Sequence, residues 1–182
     1  MTPPTRRTWS KRGHTPVIHV RGRSQRRFST AALACYKHDE HSRLIFRPKH
    51  HVRPRDAPRR SFSWSDYRDL LIAAHRQLNG PIVLVWDNLN VHKDARLQTF
   101  IDDHDWITAY FLPPYAPDLN PVESIWSLLR RSCQANTAFT DPDHLINALR
   151  RGLRQLQYRS DIIDSCLATT RLTLTTTHRQ GQ

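Results

Sequence analysis

Two carboxylates stand out in the sequence because each lies next to a stretch that restricts the backbone. Asp87 directly follows the apolar run PIVLVW, and Glu123 lies 36 positions later, behind the proline-rich stretch LPPYAPDLNP. Small misplacements of a reacting group are costly, so rigid backbone around an acid is typical of a chemical site. The pair predicts one site in which the two side chains act together.

Each carboxylate also has a purely structural interpretation. Asp87 and the following Asn88 form an ordinary turn pair for the end of a strand, and Asp87 taken alone fits that role better. Asn120 is a candidate N-cap and Pro121 suits the first position of a helix, so Glu123 could complete a capping box. A short cap does not need LPPYAPDL in front of it. Glu123 taken alone is therefore balanced between cap and site.

The connection between the two stretches favours the site. The segment WITAYFL, residues 106–112, is the next strand after the Asp87 strand and leads into the proline-rich loop. If these strands are neighbours, Glu123 returns to the strand end that carries Asp87, where ligands collect in open α/β sheets. Two carboxylates in one small volume repel each other, whereas Mg²⁺ accepts one or two together with waters and phosphate oxygens. The sequence predicts a Mg²⁺ centre suited to phosphodiester chemistry.

The charge of the chain is concentrated in its first third. The net charge is +12, and residues 1–60 hold 16 Lys and Arg against 3 acidic residues, whereas residues 61–182 hold 12 against 13. This pattern favours contacts with nucleic-acid phosphates over a solvated basic arm, and no amphipathic helix points to a membrane surface. The arginines predicted to contact DNA are Arg21, Arg23, Arg26, Arg27, Arg53, Arg55, Arg59 and Arg60.

Several protein classes are excluded by what the sequence lacks. No apolar run reaches the length of about 18 residues that a membrane span needs, and no apolar stretch of the secretory kind follows the basic N-terminus. The three cysteines, Cys35, Cys133 and Cys166, have no metal-ligand or redox-motif spacing, which predicts free thiols in a reducing cytoplasm.

Hydrophobic periodicity predicts an α/β domain in which a mixed sheet is flanked by helices. The continuous apolar run before Asp87 is typical of a buried central strand. Residues 48–60 read as an exposed loop, and the Thr-rich residues 169–182 read as a loose end. The predicted strands cover residues 15–22, 27–36, 43–47, 81–87 and 106–112, and the predicted helices cover residues 63–78, 93–104, 121–135 and 141–157.

At this level of detail the sequence resembles a known family. VLVWDNLNVH followed by FLPPYAPDLNPVESIWSLLRR resembles the DDE transposases of the mariner superfamily, in the branch found in bacterial insertion sequences. The resemblance runs from about Thr8 to Arg151 and assigns the second catalytic acid to Asp87 and the third to Glu123. It implies an RNase H-like fold, Mg²⁺ or Mn²⁺, and cleavage and transfer of DNA strands. The sequence as a whole predicts a basic N-terminal extension (1–14), a catalytic domain (15–158) and a C-terminal tail (159–182).

Residues beside the two acids are candidates for the rim of the site, namely Asn88, His92, Asp118 and Asn120. His92 is expected as a hydrogen-bond partner rather than a ligand, and Asp118 and Asn120 taken alone fit the roles of turn and cap residue better. The family's first strand and first catalytic acid have no counterpart in this sequence, since Asp39, Glu40 and Asp56 do not end a buried strand. The family's N-terminal DNA-reading domain also has no counterpart in it. These sequence features predict two alternatives. One is a catalytic part that works as a homodimer or with an upstream-encoded partner; the other is an incomplete fragment that only binds DNA.

Overall fold

The computed structural model describes residues 11–14, 27–51, 61–134 and 142–174. Within these ranges the chain forms four strands and five α-helices, with short 3-10 helices at Asn90–Lys93 and Pro117–Leu119 and a π-helical turn at Arg130–Gln134. The main elements in chain order are β1 (Arg27–Cys35), β2 (Arg43–His51), α1 (Trp64–Leu78), β3 (Ile82–Trp86), α2 (Ala95–Asp102), β4 (Ile107–Phe111), α3 (Pro121–Leu129), α4 (Pro142–Gln157) and α5 (Ser160–Thr169). The predicted strand at residues 15–22 lies outside the described residues.

Strands β1 and β2 form an antiparallel hairpin in which Arg27 pairs with His51 and Cys35 with Arg43. Strand β2 continues four residues beyond the predicted end, so the expected loop at 48–60 is wrong for residues 48–51. Pro48 is tolerated opposite Thr30 because β2 pairs only with β1 among the described strands, and an edge strand does not need every backbone N–H.

Strands β3 and β4 form a separate parallel pair, with Ile82 opposite Ile107 and Trp86 opposite Phe111. The described strands therefore form two two-stranded sheets, where the sequence predicted one mixed sheet. Strand β3 is also less buried than predicted, since Val83 is 70% and Val85 53% exposed. Leu84 and Trp86 point into a cluster with residues of α1 and α2; these helices cover that face of β3, and no described element covers Val83 and Val85.

Helix α1 confirms the helix predicted over residues 63–78 from hydrophobic periodicity. Leu70, Leu71 and Ala74 are buried, and Asn79 ends the helix in the left-handed conformation with φ 50°. At its start, Asp66 Oδ2 accepts hydrogen bonds from the backbone N–H of Ser63 at 2.8 Å and from Lys49 of β2 at 2.5 Å. Helix α1 is therefore fastened to the hairpin at its first turn.

The opposite face of the hairpin packs against α3, α4 and α5. Their shared cluster contains Leu44, Ile125, Leu129, Leu153, Ile163 and Cys166. The tail predicted for 159–182 is therefore wrong for residues 160–169, which form α5 and bury Ile163 completely. The Tyr36 hydroxyl donates to the Ile163 carbonyl at 3.0 Å. Burying one such side chain stabilises a fold by about 1.5–3 kcal/mol, so burial of Ile163 favours the packing of α5 against the hairpin.

Two further expectations concern thiols and membranes. Cys35 and Cys166 are free thiols, and burial raises the pKa of Cys35 to about 11 and raises that of Cys166 as well. A raised pKa leaves these groups as unreactive thiols at neutral pH. None of the helices in the described ranges has the length and apolar character that crossing a membrane requires.

Candidate active site

Asp87 occupies the carboxyl end of β3, where the strand gives way to a turn. Its Oδ1 accepts a hydrogen bond from the Leu89 backbone N–H at 3.2 Å and lies 2.8 Å from Nδ1 of His92. No hydrogen bond to Oδ2 is formed within the described residues, and the side chain is 52% exposed. One oxygen is thus fixed by the turn while the other faces solvent, an arrangement suited to ligating an ion.

Asn88 joins the ends of the two parallel strands. Its side-chain amide donates to the carbonyl oxygen of Leu112 at 2.5 Å, and the N–H of Leu112 donates to the Trp86 carbonyl at 2.8 Å. Leu112 is the first residue of the proline-rich loop. Both of its backbone polar groups are therefore held by the residues on either side of Asp87.

His92 lies beneath Asp87 on the 3-10 helix Asn90–Lys93 and is only 8% exposed. Its ring stacks on Trp86 at 4.4 Å and meets the edge of Tyr67 at 4.6 Å. Burial lowers the pKa of His92 below its usual 6.5, and the hydrogen bonds and charge of Asp87 offset only part of this effect. The ring is therefore mostly neutral at pH 7, with Nδ1–H donating to Asp87, and its position is that of a support for the carboxylate.

Glu123 lies in the first turn of α3, as predicted, but it does not cap the helix. The N-cap is Asn120, whose Oδ1 accepts from the Val122 N–H at 3.1 Å. The Asn120 N–H donates to the Pro117 carbonyl at 3.0 Å and so is already satisfied. Among the described residues, Glu123 makes no hydrogen bond or ion pair through its carboxylate. The positive end of the helix dipole favours an anion there, and the capping interpretation no longer accounts for this residue.

The two acids line the same cleft, which has a volume of about 180 Å³. Asn88 and Asn120 line it with them, whereas His92 and Asp118, also predicted at the rim, are not among the lining residues. The remaining walls come from the loop that follows β4, through Leu112, Pro113, Tyr115, Ala116 and Pro117. Tyr115 was missed by sequence reasoning, and its only signal is its place inside the stretch PPYAP, where it adopts φ 58°.

Asp87 and Glu123 are the only acids that line the cleft within the described ranges. Glu40 is paired with Lys37 and lies 3.7 Å from Arg43 in the hairpin turn, and Asp56 lies outside the described ranges. The described part of the chain also contains no group of three or more His, Cys, Asp or Glu that could hold a metal. Two carboxylates still fit Mg²⁺, which completes its shell with waters and phosphate oxygens.

The arginines predicted to contact DNA cannot be placed against this cleft. Arg27 begins β1, but only its backbone is described. The other seven, at positions 21, 23, 26, 53, 55, 59 and 60, lie outside the described ranges. Their role stays a prediction.

A parallel strand pair that brings a strand-end aspartate and a helix-borne glutamate into one cleft is the arrangement expected of a DDE-type catalytic domain. A family model for the DDE superfamily endonucleases matches residues 1–146, and the chain belongs to that family.

Comparison with individual proteins shows a shared fold and one sequence relative. The chain is similar to the crystal structure of the Mos1 mariner paired end complex with Mn and to that of the Mos1 strand transfer complex. Each has a TM-score of 0.52 at 15% identity; the alignments cover 93% and 96% of this chain and 52% of the Mos1 chain. An uncharacterised protein of Sinorhizobium fredii, y4pE/y4sA, is 38% identical over 64 residues, which are 35% of this chain and 44% of that protein.

The chain thus spans about half the length of the proteins it matches. The expected RNase H-like α/β class and the resemblance to DDE transposases are confirmed. The bacterial insertion-sequence branch stays a prediction.

Proposed function

We propose that this chain carries the catalytic part of a transposase that cleaves and transfers DNA strands during transposition of an insertion sequence. The observation that carries the proposal is the cleft shared by Asp87 and Glu123. Within the described residues, Oδ2 of Asp87 and the carboxylate of Glu123 make no hydrogen bond to the turn or the helix cap around them. The Mos1 structures add support, since one is a paired end complex with Mn and the other a strand transfer complex.

The donor set of the cleft fits Mg²⁺ or Mn²⁺. Asp87 and Glu123 would hold the ion, with the free Oδ2 of Asp87 as its anchor on β3. A divalent ion in that position supplies Lewis acidity, which activates a hydroxyl and stabilises the leaving oxygen of a phosphodiester. Because the two acids repel each other without a cation, the same donor set also favours uptake of an ion.

The residues of the chain itself supply orientation. His92 and the Leu89 N–H fix one oxygen of Asp87, and the contact between Asn88 and Leu112 fixes the root of the loop that leads to Glu123. A DNA strand bound across the cleft is hydrolysed at one phosphodiester, which frees a 3′-hydroxyl. That hydroxyl then attacks a phosphodiester of the target, so that one P–O bond forms as another breaks.

A second candidate function is DNA binding without catalysis. It is favoured by the absence of a third acid among the described residues that line the cleft. In that case the cleft is inherited from an enzyme, and the chain binds DNA without cleaving it. Both candidates predict salt-sensitive binding of DNA, and only the first predicts metal-dependent nicking by this chain alone.

Nicking of supercoiled plasmid and of labelled duplex DNA distinguishes the two. Wild-type protein is compared with Asp87→Ala and Glu123→Ala in Mg²⁺, in Mn²⁺ and in EDTA. The matched control is Asp105→Ala, which removes an exposed acid from the turn before β4, at the other end of that strand. We expect nicking that needs the metal, that the control retains and that either cleft variant abolishes. Wild-type protein that binds DNA but nicks nothing in either metal would establish the binding-only function.

A further inference from the structure

Helix α4 has a charged face that the proposed chemistry does not use. One side of the helix is buried in the core through Ile146, Leu149 and Leu153. The other side of α4, together with Tyr158 just past its end, lines an open groove of about 510 Å³, which is larger than the cleft at Asp87. The groove is lined by Asn147, Arg150, Arg151, Arg154, Gln155 and Tyr158. It shares no residue with the cleft, so it is a second surface and not an extension of the first.

The three arginines of this groove differ from three arginines on or beside other helices. Within the described part of the chain, none of them lies within 4.0 Å of a carboxylate. By contrast, three other arginines each pair with an aspartate at 2.7–2.8 Å, namely Arg68, Arg96 and Arg159. Unpaired guanidinium groups on one helical face repel one another, and a polyanion relieves that repulsion.

The other groups of the groove match the same ligand. Tyr158 is 88% exposed, which leaves its hydroxyl accessible, and Asn147 and Gln155 add neutral amides. Arginine, tyrosine, asparagine and glutamine side chains are the ones that contact phosphate oxygens in DNA complexes. From Asn147 to Tyr158 the helix extends about 16 Å at 1.5 Å per residue, and over that length a duplex presents about ten charges.

We propose that this face of α4 binds the phosphate backbone of duplex DNA, separately from the cleft of Asp87 and Glu123. The proposal rests on the DNA-processing function proposed above and adds a second contact to it. Arg150, Arg151 and Arg154 bind phosphates, where the guanidinium fork can engage two oxygens at once. Tyr158 donates its hydroxyl to a neighbouring phosphate. Such contacts hold the duplex without reading its sequence.

The test is binding of a fluorescently labelled duplex by the full chain in EDTA, measured by anisotropy over a series of salt concentrations. The triple variant Arg150→Gln, Arg151→Gln, Arg154→Gln is compared with a matched triple variant, Arg68→Gln, Arg76→Gln, Arg159→Gln. Both remove three positive charges from helices or their ends, but only the first set lines the groove. Three lost phosphate contacts reduce the slope of log K against log salt by about 2.7, and affinity at 0.1 M salt falls on the order of 100-fold. We expect the matched variant to keep nearly the wild-type slope.

Two more variants test whether the groove acts through specific phosphate contacts and not through its charge alone or through an effect on folding. Replacing the three arginines by lysines keeps the charges, so we expect the wild-type salt slope with weaker binding. Tyr158→Phe removes only the hydroxyl, so we expect a loss of a few fold with the slope unchanged. Wild-type binding by the glutamine variant, or an equal loss in the matched variant, would overturn the proposal, as would a preference for RNA over duplex DNA.

The metal-free assay also distinguishes failure of this proposal from failure of the proposed catalysis. Asp87→Ala and Glu123→Ala should bind the duplex in EDTA at least as well as wild type, because they remove negative charge. If the α4 variant loses binding while wild-type protein nicks nothing, the α4 proposal stands and the catalytic one fails. If nicking requires Glu123 but the α4 variant binds normally, the reverse holds.

Discussion

Replacing Asp66 by Asn tests how the hairpin and helix α1 are held together. Burial alone would raise the pKa of Asp66, but hydrogen bonds from Lys49 and from the side chain and backbone of Ser63 outweigh it and lower the pKa to about 2. The unfolded chain has the ordinary value of 3.8. A shift of this size corresponds to roughly 2 kcal/mol at 1.36 kcal/mol per pKa unit. Asp66 is 13% exposed but its partner Lys49 is 37% exposed, so solvent screening lowers this contribution to about 2 kcal/mol or less.

The sign of the pH dependence follows from the direction of the shift. The folded protein holds the proton less tightly than the unfolded chain, so the ionised carboxylate stabilises the fold above pH 3.8 and this contribution disappears as the pH falls through 2. We expect Asp66→Asn to lower the free energy of unfolding by about 2 kcal/mol at pH 7 and by about 1 kcal/mol at pH 3. Urea denaturation at the two pH values measures both differences.

The matched control is Asp69→Asn, one turn further along α1. Asp69 is 39% exposed and pairs with Arg68 at 2.7 Å and with Arg47 at 3.5 Å. Exposed pairs of this kind contribute about 0–1 kcal/mol, so we expect a small loss. A cost for Asp66→Asn that does not change between pH 7 and pH 3, or an Asp66 carboxyl that titrates near 4 by NMR, would refute the reasoning.

The remaining predictions concern α5, the support of Asp87, and the metal. Ile163→Ala should lower the free energy of unfolding by about 2–5 kcal/mol because it leaves a cavity in the core. The control Ile162→Ala removes a partly exposed side chain and should lower it less. Equal losses in urea denaturation would argue against the docking of α5. The pKa of His92, followed by NMR of the imidazole, should lie below 6.5, so protonation of this ring destabilises the fold as the pH falls below that value; a pKa above 6.5 contradicts its burial. Mg²⁺ at 100 times its dissociation constant should raise the free energy of unfolding by about 2.7 kcal/mol, which is detected as a rise in Tm. Glu123→Gln should abolish this rise. A rise that persists in Glu123→Gln would place the ion elsewhere.

The meeting of Asp87 and Glu123 in one cleft could be predicted because it depends on strand order. A strand-end Asp87 and a loop that returns from the next strand must meet if the strands are parallel neighbours, and β3 and β4 are. The competing interpretation of Glu123 as a cap could not be decided from the sequence. It depended on whether the Asn120 N–H was free, and that N–H donates to Pro117 instead.

Other features were hidden from sequence reasoning for physical reasons. The apolar run before Asp87 suggested that both faces of β3 are buried. Val83 and Val85 are exposed because no described element packs on that face of the β3–β4 sheet, which the sequence of β3 alone does not reveal. Helix α5 was missed because its apolar stripe is short and is followed by Thr-rich residues. The arginines of α4 were missed because charge was summed over residues 61–182, where aspartates on other elements cancel them.

The hydrogen bond from the Asn88 side chain to the Leu112 carbonyl couples the two strand ends mechanically. Leu112 is where the segment bearing Glu123 departs from β4, and its amide is also tethered to Trp86. Sliding of β4 past β3 cannot move one acid without straining the turn that carries the other. We therefore expect Asp87 and Glu123 to move together, and we expect hydrogen exchange of the Leu112 amide to be slow while its bond to Trp86 is intact.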